Sequence, residues 1–185
     1  MKINGLARML LIIFLFVQSI PVMISCDAPQ YYDEDKSAII DKWDALINKD
    51  GADITAIDIE TYVVPSMTSS VATKANIVTI DESEKIKAVL DILKNKKIDF
   101  SDYPKDAEGL TNYNNSIAGK EMFRIVFKNS DGNKFFGLCI YDDNTADIME
   151  TKILVDDKES LCYTYHGSFN ENVYGLIESF YNNEK

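Results

Sequence analysis

Thiols and imidazoles are few in this chain: three cysteines, Cys26, Cys139 and Cys162, and one histidine, His166. A cysteine beside a histidine can give an activated thiolate or half of a zinc site, and serine, histidine and aspartate together can transfer acyl groups. Every such scheme here must use His166. Strand alternation places Cys139, Cys162, Thr164 and His166 on one face of the C-terminal strands, with Arg124, Glu150 and Lys152. Four positions along one strand separate Cys162 from His166, which is about 13 Å. Zinc takes its ligands at ~2.0–2.3 Å, so this pair neither shares an ion nor hydrogen-bonds directly. His166 reads as an ordinary polar histidine near a strand end, and no catalytic residue, metal ligand or cofactor is expected.

Cys139 and Cys162 form a disulfide only under a rearranged strand order. In a simple meander their strands flank a third, which sets them ~10 Å apart, beyond the ~7 Å limit between bridged Cα atoms. Asn48-x-Asp50-Gly51 has the middle of a calcium loop, but Ile57 stands where the bidentate Glu is needed. Asp142-Asp143 and Asp156-Asp157 read as solvated turn residues, and no phosphate-cradling glycine loop occurs. A different signal comes from residues 100–120, where periodicity disappears among Pro104, Gly109 and several Asn. Irregular segments of this length are usually functional or disordered. Tyr103, Asp106, Glu108 and Tyr113 within it are the candidate binding rim, because Tyr gives amphipathic contact area.

The elements that must position these residues follow from apolar spacing. Ile39, Ile40, Trp43, Leu46 and Ile47 make one face of a helix over 33–48, stopped at Gly51. Residues 53–64 and 75–80 read as strands. A helix over 82–95 buries Ile86, Val89, Leu90 and Leu93, with Asp81 as its N-cap. Four strands follow at 121–128, 134–142, 146–155 and 160–166, separated by Asn-, Asp- and Gly-rich turns. A last helix over 169–182, capped by Ser168 with Glu171, carries the stripe Val173, Leu176, Ile177, Phe180 and Tyr181. One sheet face would hold Phe123, Ile125, Phe127, Phe136, Leu138, Ile140, Met149, Ile153, Leu161, Tyr163 and Tyr165. The expected fold is α+β: an antiparallel sheet of four to six strands, its C-terminal part a meander, with amphipathic helices on one face.

The N-terminus has its own logic. Lys2 and Arg8 precede nine apolar residues, Met9 to Val17, and no acid occurs before Asp27. Nine residues are too few for the ~20 that span a bilayer core as a helix, but they fit the apolar region of a secretory signal. The segment closes on Met23-Ile24-Ser25-Cys26, which resembles the lipobox of bacterial lipoproteins, with Met23 in the place usually held by Leu. The resemblance covers about the first 26 residues. It implies removal of residues 1–25 and acylation of Cys26; the length and composition of the rest read as a short tether over 26–32 and a single domain over 33–185. It also implies a lipid anchor on the outer side of the cell membrane.

Removing 1–25 takes away two basic residues and no acid, so the formal net charge moves from −11 to −13. An acidic surface excludes nucleic acid, whose binding rests on Lys and Arg, and excludes holding an anionic bilayer by charge alone. Attachment then falls to the lipid. The expectation is a membrane-anchored extracytoplasmic lipoprotein whose domain binds a protein or ligand of the cell envelope without catalysis. An envelope hydrolase using carboxylates and an immunity or inhibitor protein are the alternatives.

Overall fold

Ile57 and Ile59 alternate with Asp58 and Glu60 along the first strand, so one face of the sheet is apolar and the other carries charge. The computed structural model describes residues 41–48, 53–65, 76–94, 96–102, 104, 106–153 and 159–185, excepting the side chains of 48, 102 and 151–164. In chain order the elements are α1, a π-helical turn (Asp44–Asn48), β1 (Ala56–Val63), β2 (Asn76–Ile80), α2 (Ser83–Leu93), β3 (Ile98–Asp102) and α3 (Ala107–Ile117). They continue as β4 (Glu121–Lys128), β5 (Lys134–Tyr141), β6 (Thr145–Ile153), β7 (Glu159–Phe169) and α4 (Val173–Glu184). Residues 1–32 with Cys26, the first part of the expected opening helix, Tyr103 and the turn at 156–157 lie outside the described residues.

The fold is α+β, built on one antiparallel sheet of seven strands in the order β2-β1-β4-β5-β6-β7-β3. Consecutive strands β4 to β7 form the expected meander. The sheet is wider than four to six strands because β3, inside a stretch that loses its periodicity by residue 100, pairs along β7 from Ile98↔Phe169 to Asp102↔Tyr165. That pairing also corrects the start of the last helix. Ser168 stays in the strand, and the N-cap is Asn172, whose side chain accepts from Gly175 N at 2.9 Å. The helix α2 likewise starts one residue later than expected, with Glu82 rather than Asp81 at its N-cap.

The main core lies between the sheet and α1, α2 and α4. Ile57, Ile59, Phe123, Ile125, Phe127, Phe136, Leu138 and Ile140 meet Ile86, Val89, Leu90 and Leu93 of α2 and Val173, Ile177 and Tyr181 of α4. Trp43, at the entry to α1, packs its ring 6.3 Å from Phe136 and 6.2 Å from Phe169. Leu176, expected in the α4 stripe, is 45% exposed.

The phase of β6 differs from the sequence reading. Ala146 and Ile148 join the main core, while Met149 lies on the opposite face with Cys139 and Tyr141. Glu150, in register with Phe136, turns to the helix side, where Lys42 Nζ reaches its Oε1 at 2.8 Å. Two adjacent apolar residues, Ile148 and Met149, leave the alternation ambiguous. A register shift against β7 falls at that point, between Ile148↔Tyr165 and Met149↔Tyr163, with the extra residue on β7, so β6 itself alternates strictly but in the opposite phase to the reading.

Helices cover both faces rather than one. The stretch 106–117 is the helix α3, whose Tyr113 and Ile117 make a second cluster with Cys139, Tyr141 and Met149 on the far side of the sheet. Asp106 caps it, accepting from Gly109 N at 2.6 Å.

Candidate functional site

Strand register assembles what sequence spacing could not. Ile77, Glu60, Arg124, Cys139, Asp147, His166 and Ser101 stand in register, one on each strand, across the whole sheet from β2 to β3. Directly opposed residues of neighbouring strands share a face, so this row is the polar spine of the face that α3 partly covers.

Its centre is Asp147, which is 1% exposed. Tyr113 of α3 and Tyr141 of β5 both donate to Asp147 Oδ2, at 2.5 and 2.7 Å, and His166 Nδ1 lies 3.0 Å from Oδ1. A carboxylate can only accept, so Nδ1 carries the hydrogen. The Tyr113 ring meets the imidazole edge-on, with centroids 4.8 Å apart. Burial, and then the charge of Asp147, push the Tyr141 phenol far above its ordinary value, which keeps it a donor. A buried carboxylate needs this many donors, because an unpartnered charge in the interior is costly. Both oxygens of Asp147 are thereby engaged, and the three donors tie α3, β5, β6 and β7 together.

At one end of the row Ser101 faces His166 across the β3–β7 pair, but its hydroxyl donates to the His166 carbonyl at 3.4 Å rather than to the ring. At the other end Glu60 accepts from Tyr62 at 2.6 Å and from Arg124 Nη1 at 3.2 Å. One step away Asp58 accepts from Thr79 at 2.9 Å and pairs with Lys128 Nζ at 2.6 Å. Burial and the neighbouring Glu60 raise the Tyr62 phenol. These carboxylates cross-link β2, β1 and β4 as cross-strand polar pairs.

The binding-rim residues read from sequence do not form one surface. Asp106 is a helix cap, Glu108 is exposed in the first turn of α3, Tyr113 is turned inward onto Asp147, and Tyr103 lies outside the described residues. Sequence reasoning missed the Asp147–His166 pair and the role of Tyr113. Leu110, Tyr113 and Ile117 after a capping Asp were the available helical signal. Cys139 and Cys162 do not approach one another. Asp147 on β6 stands opposite Cys139, whereas Cys162 aligns with Glu150, so the two cysteines differ by two strands and several positions along them.

A cleft of about 670 Å³ opens on the helix side between α1 and α2. Buried Ile47, Ile54, Ile86 and Leu90 form its floor, and exposed Lys87 and Asp91 stand on its rim. This size and this apolar floor with a few polar groups suit a small ligand or a partner side chain. Among the described residues no helix is long and apolar enough to cross a membrane, and no three His, Cys, Asp or Glu side chains gather to hold a metal ion. Comparison with models of known families, with curated proteins and with solved structures finds no match.

Proposed function

We propose that the protein is a lipid-anchored extracytoplasmic domain that binds a protein or ligand of the cell envelope. The observation that carries this reading is the apolar run Met9 to Val17 closing on Met23-Ile24-Ser25-Cys26, which resembles a lipobox. Acylation of Cys26 with more than one chain gives a stable hold on a bilayer, which an acidic domain could not obtain through its own charge. Binding rather than catalysis is favoured by the state of Asp147: tyrosines and a histidine of the fold occupy both of its oxygens, so this carboxylate is not poised as a general base. The α1–α2 cleft is the concave surface suited to a ligand.

The test is crosslinking in intact cells that carry a tagged protein, with Cys26→Ala as the unanchored form and Lys87→Glu/Asp91→Lys altering the cleft. A specific envelope species recovered with the wild type, and lost in both variants, supports the reading. Recovery that is indifferent to both changes contradicts it.

One observation favours a second reading, an envelope hydrolase. Ser101, His166 and Asp147 are in register on neighbouring strands, and a serine, a histidine and a buried aspartate are the parts of an acyl-transfer triad. The Ser101 hydroxyl, directed at a backbone carbonyl, counts against it.

A further inference from the structure

A second concave site lies where α4 meets the ends of β1 and β4, beside the core stripe of α4 and sharing Tyr181 with it. It is a recess of about 280 Å³, walled by Tyr62, Phe123, Tyr174 and Tyr181, with Glu121 and Glu178 at its mouth. Tyr174, Glu178, Tyr181 and Lys185 come from α4 and its C-cap at helical spacing, so one helix stripe supplies one side of the recess. Three observations say what belongs there.

First, Tyr181 is 3% exposed, and among the described residues its buried hydroxyl has no hydrogen-bond partner. A buried hydroxyl is ordinarily satisfied, so this one is an unused group enclosed behind the wall of the recess. Second, Lys185 Nζ sits over the Tyr181 ring, 6.0 Å from its centroid. An ammonium over an aromatic face at that distance is a cation–π contact. Third, the field of the recess is negative. Tyr174 donates to Glu121 Oε2 at 3.3 Å, and burial together with Glu121 and Glu178 pushes its phenol up to about 12.

We propose that this recess binds a primary alkylammonium group, with the Lys185 side chain acting as an internal stand-in that the ligand displaces. The aromatic faces receive the cation, and Glu121 and Glu178 complement its charge and accept from its N–H groups. This site is separate from the α1–α2 cleft and does not depend on the lipid anchor.

Two amine probes cover the two sources of such a group: n-pentylamine for a free amine and Nα-acetyl-lysine methylamide for a lysine side chain. Their neutral counterparts are n-pentanol and Nα-acetyl-norleucine methylamide. Titration followed by amide NMR should show the amines shifting residues of the recess, and the neutral analogues leaving them unmoved. Lys185→Ala should tighten amine binding about fivefold by removing the competitor, and Glu178→Gln should weaken it about fivefold. Both side chains are on the exposed side of the helix, and circular dichroism checks that the variants keep the fold. Stronger response to the lysine derivative assigns a peptidyl lysine, and stronger response to pentylamine a small amine. Equal binding of the neutral analogues, or no response to amines in both wild type and Lys185→Ala, overturns the proposal.

Discussion

His166 and Asp147 stand directly opposite one another on β7 and β6, with Nδ1 3.0 Å from Oδ1. The same carboxylate takes both tyrosine hydroxyls, so three donors converge on one buried acceptor. Removing the acceptor strands all of them. Asp147→Ala is expected to cost about 3–5 kcal/mol of folding stability, measured by urea unfolding. Asp147→Asn keeps the shape and loses the charge, and should cost less. A cost below about 1 kcal/mol for the alanine variant would contradict the role given to Asp147.

Tyr113 is the link that α3 contributes. A hydrogen bond to a charged group is worth about 1.5–3 kcal/mol, so Tyr113→Phe should lose roughly that much while keeping the ring contact with His166. Local opening of α3 should rise more than that of the other helices. Hydrogen exchange of amides in 107–117 against those in α4 measures this, and uniform loosening of both helices would count against it.

The hydrolase reading makes its own demand on Ser101. Its hydroxyl is directed to the His166 carbonyl, so it lacks the imidazole base that a nucleophilic serine requires. A fluorophosphonate probe should leave the protein unlabelled, and Ser101→Ala should not change that result. Stoichiometric labelling that disappears in Ser101→Ala would restore the enzyme reading.

Asp143 supplies a pH dependence. Burial acts to raise its pKa, but hydrogen bonds from Lys120 and Thr145 outweigh that effect and hold the carboxyl below its ordinary value. A depressed carboxylate contributes stability above the unfolded aspartate value of ~3.9 and loses it as pH falls through the folded value. The thermal midpoint of the wild type should therefore exceed that of Asp143→Asn at pH 6, and the gap should close below about pH 4. A gap that is constant down to pH 3 removes Asp143 from the account.

Most of the fold was legible because its strongest periodicities agree with its tertiary structure. The runs at 121–128 and 134–141, the stripe Ile86, Val89, Leu90 and Leu93, and the turns at 129–133 and 142–144 lie where spacing puts them. The losses cluster at 98–117. Ile98 and Phe100 give only two turns of alternation, and α3 contains Gly109, Asn112, Asn114 and Asn115, residues of low helix propensity. Packing of Tyr113 and Ile117 on the sheet, with the Asp106 cap, makes a helix where local preference is weak. The Asp147 hub was out of reach for a different reason. Asp147 and His166 are 19 positions apart and Tyr113 a further 34 from Asp147, so only the register of the meander brings them together. With β6 out of phase in the reading, Asp147 was not placed on the face of His166.

The most direct test of the account is the anchor. Cells expressing the protein are fed a labelled fatty acid, and the tagged wild type is compared with Cys26→Ala. The account predicts label and membrane association in the wild type, with neither in the variant. Equal labelling of the two proteins, or a wild type that carries no acyl chain and leaves the membrane fraction in the absence of detergent, would contradict it.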